Sequence, residues 1–267
     1  VDGQDLDIPF VVKDQDTNGN KLDYLLNKFM GYCNTSYPNT QKNFTKSSVE
    51  MIFTSPAAKI DIVPFLNISG SNNELLIKRN WEQRETNLEQ HKEFIRSRTK
   101  KSNEVNSQVA FNGYIRLIKW WRIEQCNKKQ GTPEAIEELP SFLMNLLCAK
   151  AFDTIGIQES HIRTLASWFG LLANLVKNKK CVYFNDFNAN AQMPPESFYK
   201  WQVLDPVNFD NNAAQKFQDS EITNLSNWLS ETSDKLNQII AYDLRNEESK
   251  AMDLCCDLFG SSFKNHC

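Results

Sequence analysis

A chain of 267 residues is long enough to bury a real core, as one large or two modest domains. Its 40% hydrophobic and 24% charged residues are those of an ordinary globular protein, and no apolar run approaches the roughly 20 residues that span a bilayer. A formal charge of −3 gives no electrostatic case for a long nucleic-acid polymer as the main ligand.

The seven cysteines are odd in number and lack C-x-x-C spacing, with Cys255 and Cys256 adjacent; this pattern predicts reduced thiols and a cytoplasmic location rather than a disulfide framework. His91, His161 and His266 form no zinc-type cluster. No signal peptide is legible in a sequence that does not begin with Met.

The first hundred residues read as mixed strand and helix. Leu6 to Lys13 is a strand, D-T-N-G-N at 16–20 a turn, and Leu22 to Tyr32 a helix. Ser48 to Thr54 alternates, turns at Ser55-Pro56, and pairs as a hairpin with Ala58 to Val63; Leu75 to Lys78 is one more strand. Thr86-x-x-Glu89 is a capping box that opens a helix to about Arg98.

Two of these strands carry acids among apolar residues: QDLDIPFVV at the start and AAKIDIVPFL later. Asp5 and Asp7 stand two apart, so both project from one strand face, and Asp61 adds a third carboxylate if its strand lies alongside. Such acids are either ordinary edge and turn aspartates or a set of oxygen ligands for a hard divalent cation, Mg²⁺ or Mn²⁺.

From about Val109 the pattern becomes helix after helix. Phe111, Tyr114, Ile115, Ile118 and Trp121 mark one buried face, with Arg116, Lys119 and Arg122 as a basic stripe beside it. Trp120 and Trp121 point about 100° apart, so one is core and the other free to line a groove. Leu139-Pro140-Ser141 starts a second helix with Pro in its first turn, Ile162 to Ala173 outlines a third, Ile222 to Ile240 a fourth, and Ala251 to Leu258 a last, closed by Gly260. The stretch Asn185 to Phe209 is a long connection, and the runs Lys100-Lys101 and Lys177 to Lys180 are solubilising faces.

In order, DLD, KIDIVP, RLIKWWR, LPSF, VLDPVNFDNNAA and LFGSSF resemble the bacterial CD-NTase family, the cGAS/DncV-like nucleotidyltransferases of anti-phage (CBASS) signalling, distantly similar to oligoadenylate synthetase. The resemblance implies an α+β fold: a polymerase-β-like nucleotidyltransferase core of mixed sheet and helices over residues 1–106, a C-terminal helical lobe over 107–267, and an active-site cleft between them. It implies synthesis of a cyclic or linear di- or trinucleotide messenger from nucleoside triphosphates, ATP and GTP first, by two-metal phosphoryl transfer. Asp5, Asp7 and Asp61 match the family's catalytic carboxylates, which hold two Mg²⁺ or Mn²⁺ ions. Lys119 matches the lysine that reaches the triphosphate, Ser141 the serine on the phosphates and Phe142 an aromatic position that stacks on a base; Arg116 lies on the same stripe as Lys119.

Asp205, Asn211 and Asn212 match the family's D-P-x-N-x-x-N-N segment near the cleft, where turn and cap chemistry is the simpler role. Phe142 has an equally simple reading as core beside Leu143 and Leu146. A downstream effector that binds the messenger and a regulatory protein are the implied partners; neither a membrane nor double-stranded DNA is. The family's Gly-Ser pair upstream of the first acids has no counterpart in Val1 to Gln4, so the reading expects a longer native chain, or else a lost phosphate cradle. Other readings of the same words are a silent module that keeps the fold, and a nucleotidyltransferase that modifies RNA ends or proteins.

Overall fold

The computed structural model describes residues 4–13, 21–54, 57–77, 83–105, 110–128, 139–187 and 200–265. Its contacts divide the chain into two compact units, Val1–Gln90 and His91–Cys267. The first is built on a sheet and the second on helices, so the expected α+β class is observed.

The first unit contains β1 (Gln4–Lys13), α1 (Lys21–Ser36), β2 (Gln41–Phe44), β3 (Val49–Thr54), β4 (Ala57–Asn67), β5 (Glu74–Ile77) and β6 (Gln83–Thr86). β4 organises the sheet. Parallel β1 runs along it from Gln4↔Ala58 to Lys13↔Asn67, while antiparallel β3 pairs with Ala57 to Ile62 and antiparallel β5 with Phe65 to Asn67. Since a strand has two edges, β3 and β5 share the one opposite β1. β2 and β6 extend the sheet outward from them.

Both strand prolines fit this plan. Pro9 sits on the edge strand, and Pro64 falls between the β3-paired and β5-paired spans, where that side of β4 has no partner to lose. Alternation sets the register: Val12, Val49, Met51, Ile60 and Ile62 pack with Leu25, Leu26, Phe29 and Cys33 of α1. The opposite sheet face receives the acids.

Four expected strands and α1 are present: β1, β4 and α1 are longer than expected, β3 starts one residue later at Val49, and β5 starts one residue earlier at Glu74. β2 (QKNF) and β6 (QRET) carry no apolar alternation because they lie at the sheet margins, and β2 is mostly exposed. The D-T-N-G-N and Ser-Pro turns lie outside the described residues.

Helix α2 (Leu88–Val105) is longer than expected. Its cap is a correction: Thr86 closes β6, and Asn87 Oδ1 accepts from Gln90 N at 2.9 Å, so the capping residue is Asn87. The second unit continues with α3 (Phe111–Lys128), α4 (Ser141–Ile155), α5 (His161–Lys177), α6 (Asp219–Asp243), α7 (Glu248–Phe259) and a 3₁₀ turn, Ser261–Asn265. Its core is aromatic, with Phe111, Tyr114, Trp121, Trp168 and Phe169 all nearly inaccessible, each such side chain contributing about 1.5–3 kcal/mol. α5 and α6 approach closely because Gly170 faces Ser233, whose hydroxyl donates to the Ala166 carbonyl at 2.9 Å, while Ser226 donates to Ala173 at 3.2 Å. Pro140 is another correction. It caps α4 in an extended conformation (φ −63°, ψ 142°) instead of entering the first turn; the ring fixes φ alone and leaves this extended ψ open to it. Among the described residues no cysteine is in a disulfide.

Gly260 ends α7 at φ +88°, ψ 158°, a region open essentially to glycine. A Cβ there would stand 2.4 Å from Oε2 of Glu124, whose Oε1 accepts from Trp120 Nε1 at 3.0 Å. Trp121 is therefore the core tryptophan of the pair and Trp120 a partner of Glu124. Gly260→Ala should cost about 1–3 kcal/mol, read as a lower urea midpoint with an unchanged m-value.

Candidate functional site

The acid face follows from register. On adjacent strands Asp7, Asp61 and Glu50 are consecutive Cα partners, and the neighbouring row is Asp5, Lys59 and Ile52. Residues paired across a ladder share a face, and so do residues two apart, so positions 5, 7, 50, 59 and 61 lie together on the face turned away from α1. The side chains of Asp5 and Asp7 lie outside the described residues. Among the described ones no group of three His, Cys, Asp or Glu forms a metal site.

Asp61 is half-buried and accepts a hydrogen bond from Ser48 Oγ at 2.6 Å. Glu50, absent from the sequence reading, is tied elsewhere: Lys59 Nζ stands 2.7 Å from its Oε1 and Asn43 Nδ2 donates to Oε2 at 2.9 Å. The Asn43 bond first, then Lys59, holds its carboxyl below the usual range. Only the strand pairing exposes Glu50's place, because E-M-I-F has no spacing relation to the two acidic words. The oxygen-only donor set of Asp5, Asp7 and Asp61 suits Mg²⁺ or Mn²⁺ by its chemistry. A cavity of about 600 Å³ lined by Ile8, Phe10, Leu25, Phe29 and Met51 belongs to the opposite, apolar face.

The second unit carries the remaining sequence-derived residues. Arg116 is exposed on α3 and Lys119 half-buried one turn on. Burial pulls the Lys119 ammonium below the ordinary lysine range, and the nearby positive charge of Arg122 adds to it. Cys148 itself, fully buried, is pushed up to about 12 and stays a thiol.

A depressed lysine costs stability while it is charged, and the cost disappears as pH rises through its folded pKa toward the unfolded value. Lys119→Met should therefore raise stability at neutral pH by about 0.5–1 kcal/mol, solvent screening included, with the advantage shrinking at alkaline pH. Under the expected role of Lys119 as the lysine that reaches the triphosphate, the same variant should weaken triphosphate binding about tenfold, the cost of one hydrogen bond to a charged group. Thermal melts across pH and titration with a nonhydrolysable ATP analogue check both signs.

Ser141 is exposed in the first residue of α4, a helix end with no side-chain cap and no acid in its first turn, which leaves backbone N–H groups for an anion. A cleft of about 310 Å³ lined by Pro140, Ala213, Lys216, Phe217 and Glu221 adjoins it. Phe142, half-buried, packs against the core and sets its ring edge-on to His91 at 5.3 Å between centroids. His91 Nε2 in turn lies 3.6 Å from Asp205 Oδ1.

Asp205 is buried within its own turn, accepting from Asn211 Nδ2 at 2.8 Å and Val207 N at 2.9 Å. Asn212 Oδ1 accepts from Val203 and Ala214 N, and its Nδ2 donates to Trp201 O. These polar atoms serve the loop, the simpler of the two roles open to them. Phe142, His91, Asp205 and Asn211 are thus brought into one chain of contacts, which the sequence did not signal for His91.

A sheet unit followed by a helical unit is the fold of solved CD-NTase structures. The relatives are specific. The chain is 25% identical over 213 residues to the Cyclic AMP-AMP-AMP synthase of Escherichia coli (strain MS 115-1), covering 78% of this chain and 61% of that protein. It therefore spans less than two thirds of that curated relative.

Among solved structures it is similar to E. coli MS115-1 CdnC with ATP (TM-score 0.76, 21% identity, 97% of this chain and 78% of that one). The same CdnC in complex with HORMA-deltaN gives a TM-score of 0.72 at 20% identity, over 96% and 76% of the two chains. The Bradyrhizobium diazoefficiens CD-NTase CdnG with GTP gives 0.57 at 13% identity, over 95% and 75%. No family model matches the chain. The resemblance read from the six words is borne out in fold and in sequence.

Proposed function

We propose that this chain is the catalytic part of a nucleotidyltransferase that joins nucleoside triphosphates into a cyclic or linear di- or trinucleotide messenger, acting in anti-phage signalling in the cytoplasm. The observation that carries the reading is the register of β1 on β4, which pairs Asp7 with Asp61 and sets Asp5 on the same face. Asp5, Asp7 and Asp61 would hold two Mg²⁺ or Mn²⁺ ions. Such ions, when bound, neutralise triphosphate charge and make a ribose hydroxyl more acidic.

In this reading Asp61 orients the attacking hydroxyl, whose oxygen bonds to the α-phosphorus while its proton passes to solvent water and the α–β phosphoanhydride bond breaks to release pyrophosphate. Lys119 and Arg116 supply positive charge to the phosphates, Ser141 and the open end of α4 add hydrogen-bond donors, and Phe142 offers an edge of ring to a base. Asp205, Asn211 and Asn212 keep the neighbouring loop in shape. ATP and GTP are the first substrates to test, since CdnC and CdnG are known with ATP and with GTP respectively. A regulatory protein is a reasonable partner, given the HORMA-deltaN complex of CdnC, and a downstream effector would bind the product. No helix among the described residues is long and apolar enough to cross a membrane.

The test is incubation with all four triphosphates and Mg²⁺ or Mn²⁺, followed by mass spectrometry. Small cyclic or linear oligonucleotides plus pyrophosphate are expected. A folded protein that yields no small product with either metal would overturn the reading in favour of a silent module, and nucleotide found only on added RNA or protein would make it a macromolecule-modifying enzyme.

A further inference from the structure

The β2–β3 hairpin closes through Thr45, Lys46, Ser47 and Ser48, with Phe44 paired to Val49. Burial of Val49 and Met51 on the α1 face fixes the alternation, so Ser48, Glu50 and Ile52 fall on the acid face. Glu50 is the direct partner of Asp61, and Ser48, two residues earlier, is a diagonal neighbour.

The hydroxyl of Ser48, 4% exposed, donates to Asp61 Oδ1 at 2.6 Å, a length normal for a bond to a carboxylate. Its one proton is thereby used, so at the 2.5 Å contact between Ser48 Oγ and Thr45 Oγ1 the donor is Thr45. Thr45 Oγ1 in turn accepts from the backbone N–H of Ser48 at 3.0 Å and of Ser47 at 3.3 Å. The result is a one-way chain from two fixed backbone donors, through two hydroxyls, to one oxygen of Asp61.

We propose that Ser48, backed by Thr45, is a positioning residue that fixes the Asp61 carboxylate, occupying one lone pair on Oδ1 and leaving the other oxygen to the divalent cation. The assignment rests on the reading of Asp61 as a cation ligand. Partners that orient metal-binding groups change metal affinity or activity by about 10–100-fold when removed.

The test is Mn²⁺ titration by electron paramagnetic resonance with a nonhydrolysable ATP analogue, on the full chain and its Ser48→Ala, Thr45→Val, Thr45→Ser and Asp61→Asn variants, with thermal melts and steady-state kinetics alongside. Ser48→Ala should weaken Mn²⁺ binding about tenfold or more and lower kcat, with partial recovery at high Mn²⁺ and an unchanged KM for triphosphate. Thr45→Val should move the same quantities in the same direction by less, while Thr45→Ser, which keeps the hydroxyl, matches the parent. A lowered Tm with Mn²⁺ affinity within twofold of the parent, while Asp61→Asn loses the ion, would leave Ser48 a turn residue and overturn the proposal alone. Parent-like Mn²⁺ binding by Asp61→Asn would remove the reading of Asp61 itself. Should Ser48→Ala fail to fold, the Thr45 pair decides.

Discussion

Asp61→Asn should abolish divalent-dependent product formation, lowering turnover by about 10³-fold or more, while the folded chain keeps or gains thermal stability. The reasoning starts from the register. Asp7, Asp61 and Glu50 stand in one row across three strands, and like charges so placed repel unless a cation intervenes. Asparagine retains the oxygen that accepts from Ser48, so the hairpin contact survives, but it removes the negative charge. A loss of about 4 kcal/mol of transition-state stabilisation corresponds to that thousandfold drop.

The informative control is Glu50→Gln, in the next position of the same row. Its carboxylate is already engaged by Lys59 and Asn43, so turnover should change by less than about threefold. Quantifying pyrophosphate release and oligonucleotide product from the two variants separates place in the row from role. Asp61→Asn turnover within threefold of the parent would sink the assignment.

What the sequence disclosed depended on whether the signal was local. Strand alternation around Asp5 to Val12 and Ile60 to Val63 survived into β1 and β4, because one face had to meet α1 and a one-residue slip would have exposed it. The helix faces of the second unit were equally legible, down to Trp121 as core and Gly260 as terminator. β2 and β6 were not, since marginal strands gain their partners through backbone hydrogen bonds rather than burial.

The same division runs through the site. Asp5 with Asp7 is a two-residue pattern and Asp61 a recognisable word, but their pairing is a fact of parallel register. Ser48 lies 13 positions from the acid it serves, and Glu50 and His91 had no local mark at all. Where the turn reading of Asp205, Asn211 and Asn212 competed with a ligand reading, local Asx chemistry covers the bonds from Val207 N to Asp205 and from Ala214 N to Asn212, whereas those of Asn211 to Asp205 and of Asn212 to Val203 and Trp201 join residues farther apart and appear only in the folded loop.

The second large effect concerns stability. Arg98→Met should lower the stability of the helical unit by about 2–4 kcal/mol, a figure set below that for a fully buried pair because both acids keep some solvent contact. Arg98 is 6% exposed, and all five of its N–H groups have acceptors. Nε and Nη2 fork onto Asp153 of α4, Nη1 and Nη2 onto Asp186 beyond α5, and Nη1 also donates to the Phe94 carbonyl at 3.0 Å. The Phe94 ring lies 3.9 Å from the guanidinium carbon.

Burial works against the charge, but the bonds to Asp186 and Asp153 outweigh it, and the arginine's pKa is raised. Methionine fills similar volume, so the loss would come from two acids left without their cation and not from a cavity. Replacing the acids as well, in Arg98→Met/Asp153→Asn/Asp186→Asn, should therefore recover more than half of the loss. Urea unfolding of the series measures this, with Tm falling by about 2–4 °C per kcal/mol. A single Arg98→Met variant that melts with the parent, or a triple variant no better than the single, would show that these three elements are held by their apolar contacts and that the fork contributes nothing.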